Sequence, residues 1–338
     1  EGEAIAWHLN NKFEKKKLLK DKFVSRISFT EITPSAIEEA IKNPREIDQN
    51  LVNAYLARRI LDHLIGFKVS PFLWRHISRA KSAGRVQSPS LRIVCEKEDE
   101  IDAFTPEEFW PFSGKFNYKD FQVDADLTSI NGEKTDKKRV SNEIEAKQIE
   151  NELTSQSFYL KEIESKPQSN SSKAPFRTST LQQAASSKLS FTADRTMRVA
   201  QKLYEDGLIT YLRTDGISIS NDILNDLRNF IASEYGEKYL SEKPKIYKSK
   251  AANSQEAHEP IRPTDFSVKP SKAKLTGDEM KLYSLIWNRT LASQMSNSKY
   301  ERKTLIISSK DEKYIFRASS RKNLFLGFEL LTREEAVS

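Results

Sequence analysis

Gly207-Leu208-Ile209-Thr210-Tyr211-Leu212-Arg213-Thr214-Asp215 is the stretch on which the reading of this chain turns. Its strand-like run places Tyr211 and Arg213, two residues apart, on one face. A phenol titrates near pH ~10 and is a poor nucleophile at neutral pH, so a catalytic tyrosine needs a fixed cation beside it and a phosphate to attack. Arg213 supplies that cation. Taken alone, a pair at this spacing is most often a half-buried ring beside a solvated charge. Upstream, residues 178–207 read as two short helices joined by a tight turn, a unit suited to docking on DNA. Ser179 with Gln182 three residues later gives a capping-box pattern, Thr192 caps the second helix, and Gly207 ends it. Ser220 caps a third, amphipathic helix through Ile223, Leu224, Leu227 and Ile231.

The charge distribution adds a second signal. The 338 residues carry a formal charge of +7. From Leu56 to Arg92 there are eight basic residues (Arg58, Arg59, Lys68, Arg75, Arg79, Lys81, Arg85, Arg92) against the single acid Asp62, so this segment alone carries +7 and the remainder is balanced. With Phe67, Phe72 and Trp74 interleaved, the stripe suits a nucleic-acid backbone better than a small acidic substrate. Solvated helical faces with core aromatics are the alternative. Cys95 is the only cysteine, which excludes internal disulfides and thiolate-rich zinc sites in this sequence and fits a reducing setting. No apolar run reaches the roughly twenty residues of a membrane span, and no signal-peptide pattern is present.

Residues 4–19 carry helix formers, 23–29 alternate like a strand, and Thr33-Pro34-Ser35 offers a cap for a helix over 36–42. Helical spacing recurs over 53–67 and 91–100. Beyond Pro106, aromatic and β-prone runs separated by Asn131-Gly132 predict antiparallel strands. Residues 166–173, Lys-Pro-Gln-Ser-Asn-Ser-Ser-Lys, have linker composition and mark a boundary. A second polar connection spans 241–255, a helix bearing Trp287 spans 282–295, and alternation returns over 300–328, as if the chain re-enters the β domain. There is no internal repeat.

Four ordered blocks carry a family resemblance: Glu1-Gly-Glu-Ala-Ile-Ala-Trp-His-Leu9, Ser82-Ala-Gly-Arg-Val-Gln-Ser88, Ser179 to Asp215, and Ala257-His-Glu-Pro-Ile-Arg-Pro-Thr-Asp265. Together they closely resemble the type IA DNA topoisomerases of bacteria. The resemblance implies a multidomain α+β fold with a toroidal core. Its parts would be the tail of a toprim α/β domain (1–45), a helical DNA-binding gate lobe (46–105), an antiparallel β arch (106–173, returning at 299–338) and a helix-turn-helix-like tyrosine domain (174–298). The chain opens on Glu1, inside a family motif and without an initiator methionine, and is expected to be a fragment.

The same resemblance assigns roles. Tyr211 matches the nucleophile that forms a 5′-phosphotyrosyl bond with single-stranded DNA, storing the bond energy so that no ATP is needed. Arg213 matches the arginine that steadies the scissile phosphate, and His258 a histidine that bonds a phosphate or moves a proton; Glu259 and Arg262 either position it or serve as local salt-bridge partners. DNA contacts are expected at Arg58, Arg59, His63 (where relatives often carry arginine), Phe67, Lys68, Arg75, Ser82, Ala83, Gly84, Arg85, Val86, Gln87 and Arg262. Pro260 and Gly216 stand where the family usually has alanine and serine. Glu1 matches the last acid of a magnesium cluster whose other ligands are missing here, so poor binding of Mg2+ is expected. The expected substrates are single-stranded and negatively supercoiled DNA, acted on by a monomer in the cytoplasm at the nucleoid, with no membrane association. A DNA-binding module without turnover is the main rival. A tyrosine recombinase would need a tyrosine near the end of its catalytic domain and an Arg-His-Arg constellation.

Overall fold

The computed structural model describes residues 2–29, 32–135, 140–247 and 259–332. The chain divides into two compact units, Glu1–Ser28 with Glu38–Glu107, and Phe29–Ile37 with Glu108–Ser338. Among the described residues no helix is long and apolar enough to cross a membrane.

The first unit is helical: α1 (Gly2–Lys15), α3 (Gln49–Leu64), α4 (Ser70–His76) and α5 (Gln87–Asp102), with α2 (Pro34–Lys42) running across the division. Asp48 caps α3 by accepting from the Asn50 and Leu51 N–H groups. A single π-helical turn, Ile65–Val69, joins α3 to α4, so the helix expected over 53–67 is longer and bulged. Burial is sparse. Ala4 and Val52 are its buried apolar residues among those described, and α5 buries none. What fixes the packing of α1 is ionic: the buried Glu3 carboxylate accepts two bonds from Arg45, at 2.7 and 2.8 Å, and one from the Asp48 N–H. The strand expected over 23–29 is absent; only an isolated bridge, Arg26 to Arg45, forms there.

The second unit contains an antiparallel sheet of β1 (Ser113–Tyr118), β2 (Phe121–Ile130), β3 (Glu133–Lys134), β4 (Phe158–Asn170), β5 (Ser298–Ser309) and β6 (Tyr314–Phe325), in the order β1-β2-β6-β5-β4 with β3 on β2. Asn131 and Gly132, both at positive φ, close the β2–β3 hairpin as a two-residue turn requires. The helix α6 (Glu143–Ser155) lays Ala146 and Ile149 on one face, against Leu127, Ile307 and Phe316. The linker expected at 166–173 is not one: β4 continues through Lys166 to Asn170, paired with β5 throughout. β4 is an edge strand, where Pro167 and a polar sequence are tolerated because one side faces water.

Among the described residues this unit is completed by the helices α7 (Thr178–Leu189), α8 (Ala193–Glu205), α9 (Asn221–Tyr235), with a 3-10 turn at Glu237–Tyr239, and α10 (Gly277–Gln294), followed by the short α11 (Glu329–Thr332). Their apolar faces form one core with Phe176, Leu181, Leu203, Leu227, Ile231, Ile286 and Trp287 at its centre. The two-helix reading of 178–207 holds, with Ser190 in the left-handed region ending α7 and Thr192 accepting from the Arg195 N–H. The cap of α7 differs from the expected one. Arg177 is the N-cap, and its N–H donates to Thr180 Oγ1 at 3.1 Å, so Ser179 and Gln182 do not form the box. Gly207, at φ +71°, ends α8's turn where a Cβ would stand 2.8 Å from the Ile32 carbonyl oxygen.

Candidate active site and nucleic-acid interface

Residues 207–215 form an irregular extended segment, with no regular strand assigned. Alternation nevertheless survives in burial: Leu212, Thr214 and Gly216 point inward while Tyr211, Arg213 and Asp215 point out. Three threonines hold the segment on two sides. Thr178 Oγ1 donates to the Leu212 carbonyl at 2.7 Å and accepts from the Thr214 N–H, tying it to the start of α7. Thr210 Oγ1 donates to the Pro260 carbonyl and accepts from the Arg262 N–H, and Thr214 Oγ1 donates to the Glu259 carbonyl. With the Ile209–Pro263 bridge, these bonds lay 259–264 alongside 208–214. Two motifs far apart in sequence are thereby brought together.

Tyr211 is 38% exposed, its ring edge-on to Tyr204 of α8 at 5.4 Å. Burial, with Tyr211 beside it, pushes the Tyr204 phenol up, so Tyr204 stays a neutral wall. Arg213 is exposed, and among the described residues it has no ion-pair partner; it lines a surface cleft shared with Arg177 and Asp215. The DNA contact expected of Arg262 does not fit its placement. Its side chain is 3% exposed and donates twice to Glu259 Oε2 and once to the Pro263 carbonyl. The arginine braces the turn that follows position 258. His258 itself lies outside the described residues, as does Glu1.

In the first unit, Arg58, Arg59, His63, Phe67, Lys68 and Arg75 are all exposed along α3, the π turn and α4. Phe67 is 72% exposed and stacks on His63 at 4.5 Å, presenting an aromatic platform. The 82–88 loop is held by its own bonds: the Ala83 N–H donates to Ser70 Oγ, Gly84 N–H to Ser88 Oγ, and Gln87 Nε2 to Ser82 Oγ. Val86 is exposed at the N-cap of α5. Arg85, half-exposed, forks onto Asp62 at 2.9 and 3.3 Å. The one acid in the basic stripe therefore screens one of its arginines, a pairing across 23 residues that no local pattern discloses.

Magnesium requires clustered oxygen ligands. Glu3 is held down to about 2 by the Arg45 guanidinium, helped by the Asp48 N–H and by Arg26, so it is a committed ion-pair partner. Among the described residues no three His, Cys, Asp or Glu side chains gather as a metal site would require. These residues do not fit a magnesium site.

The DNA topoisomerase family model matches residues 46–337. The chain belongs to the type IA DNA topoisomerases. Its type IA relatives include DNA topoisomerase 1 of Rickettsia bellii, 48% identical over 99% of this chain and 43% of that protein, and that of Xylella fastidiosa strain Temecula1, 41% identical over 97% and 42%. The solved structure of full-length topoisomerase I from Thermotoga maritima superposes with a TM-score of 0.78 at 38% identity, covering 98% of this chain and 53% of that one. This topoisomerase chain thus spans about half the length of the relatives it matches, or less.

Proposed function

We propose that this chain carries the strand-cleavage centre of a type IA topoisomerase, acting on single-stranded segments of negatively supercoiled DNA as a monomer at the cytoplasmic nucleoid. The Tyr211 oxygen attacks a backbone phosphorus, the bond from phosphorus to the 3′ oxygen breaks, and the phenolic proton is lost as the 3′ oxygen gains one. Arg213 balances the charge that grows on the phosphate, a role worth several kcal/mol in such reactions. His258 moves or holds the proton. Because phosphotyrosyl formation exchanges one phosphodiester for another, religation is the reverse step and needs no nucleotide; passing the other strand between the two steps relaxes the DNA.

The single observation that supports this most is the pairing of a half-exposed tyrosine with an arginine that has no ion-pair partner among the described residues, on a segment where Leu212, Thr214 and Gly216 alternate inward. The test is to mix the protein with end-labelled single-stranded DNA and denature it. A labelled covalent adduct that disappears in Tyr211→Phe is expected; no adduct from the parent chain refutes the reading. A binding-only module is the second reading, favoured by the exposed basic face of α3 and α4, which needs no chemistry to hold a strand. Salt-sensitive binding without any adduct would establish it.

A further inference from the structure

The cleft beside Arg213 contains a second guanidinium. Its volume is about 550 Å³, within the range of small-ligand sites, and its walls are Arg177, Ser179 and Gln182 at the start of α7, Met197 of α8, and Arg213 and Asp215 of the tyrosine segment. Arg177 and Arg213 come from places 36 residues apart and meet here. Among the described residues of this unit, Arg195 pairs with Asp278, Arg198 with Asp194, Arg262 with Glu259 and Arg321 with Glu329. Arg177 and Arg213 pair with none among the described residues, although Asp215 lines the same cleft. The sum of these three charges is one positive, with two forked donors facing a site open to solvent.

The backbone around Arg177 is fixed on both sides. Phe176, fully buried, accepts from the Ile261 N–H at 2.8 Å, and the Thr178 N–H donates to the Thr214 carbonyl at 3.0 Å. Thr178 is therefore occupied in holding the tyrosine segment, whereas the Ser179 hydroxyl and Gln182 amide have no partner among the described residues. Tyr211 stands two residues before Arg213 on the same exposed side of this segment, next along the chain to the cleft that Arg213 lines.

We infer that Arg177 is a strand-binding residue: while Arg213 balances the scissile phosphate, Arg177 grips the adjoining DNA backbone phosphate, with Ser179 and Gln182 as neutral donors. This rests on the proposed function and names a contact that the sequence blocks do not include. Arg177 would keep the end of a cut strand in register for resealing, which a single charge at the scissile phosphate cannot do.

The test measures binding of a fluorescein-labelled single-stranded oligonucleotide to the parent chain, Arg177→Gln and Arg177→Lys across a series of potassium chloride concentrations. Arg177→Gln should weaken binding about tenfold and make the log Kd against log salt plot shallower by about 0.7, one phosphate contact fewer on a single strand. Arg177→Lys should restore the slope. Replacing phosphates one at a time with neutral methylphosphonates should then erase the difference between parent and Arg177→Gln at one position only, next to the mapped cut. An unchanged Kd, or a weaker Kd with the parent's slope, overturns the inference, the latter because Arg177 would then be acting through the fold. A parent chain that binds the strand yet forms no Tyr211 adduct overturns the proposed function instead, while the slopes still decide Arg177.

Discussion

The two compact units present their charged groups by opposite means. In the second, Tyr211 and Arg213 stand on a segment pinned by Thr178, Thr210 and Thr214 over a continuous apolar core. In the first, Arg58, Arg59, Lys68 and Arg75 stand on helices that bury little, and α5 buries nothing. A group that takes part in bond making must be held to a fraction of an ångström, and only buried, hydrogen-bonded neighbours do that. A group that attracts a polyanion acts across a Debye length of about 8–10 Å and needs only charge and exposure. Substitutions should therefore separate the units: chemistry and cooperative stability lie in the second, where Arg177 adds one phosphate contact, and the remaining salt-dependent affinity lies in the first.

The largest effect is expected from Tyr211→Phe, which should abolish the covalent adduct while leaving strand affinity and the melting curve of the protein unchanged in the same preparation. Arg213→Ala should slow adduct formation about 10²–10³-fold in single-turnover assays, with Arg213→Lys recovering part of the rate. Arg262→Met leaves Glu259 without its partner. Breaking such a buried pair costs about 3 kcal/mol, so the thermal midpoint of the second unit should fall by roughly 6–12 °C in calorimetry.

Glu3 gives a smaller effect, present at neutrality, whose pH dependence is confined to acid. Its folded pKa, about 2, lies below the ordinary 4.5, so its contribution is complete above pH ~4.5 and disappears as the pH falls toward 2. Glu3→Gln should destabilise the first unit near neutrality and flatten its pH dependence across that window, followed by circular dichroism. Smallest of all, Asp62→Asn removes an exposed pair worth at most about 1 kcal/mol. Stability should barely change, while the freed Arg85 tightens strand binding at low salt by a few-fold and steepens the salt slope. A stability loss at Asp62 as large as that at Arg262 would break the contrast between the units.

Local chemistry was readable where the residues that make a feature lie close in sequence. The α7–α8 pair, the Thr192 cap and the Asn131-Gly132 turn follow from short-range rules. The alternation of Tyr211 and Arg213 also came through, although the segment is fixed by threonine hydroxyls and the 259–264 stretch and not by a regular ladder. What escaped is non-local. Residues 166–170 look like a linker because an edge strand keeps a polar side toward water, and only β5, more than 120 residues on, makes them a strand. The fork of Arg85 on Asp62, the Tyr204 ring beside Tyr211 and the convergence of Arg177 on Arg213 depend on tertiary placement that periodicity does not encode. Arg262 carries two readings in the sequence, a phosphate contact and a local salt-bridge partner, and only its burial against Glu259 favours the second.

The decisive measurement is the polarity and position of the protein–DNA bond. Single-stranded oligonucleotides labelled at either the 5′ or the 3′ end are incubated with the protein, the mixture is denatured, and the modified peptide is sequenced by mass spectrometry. Retention of the 3′ label, with the modification on Tyr211 through a 5′ phosphate, is expected. Retention of the 5′ label, attachment at another residue, or tight binding with no covalent product at all would contradict the assignment of Tyr211 as the nucleophile.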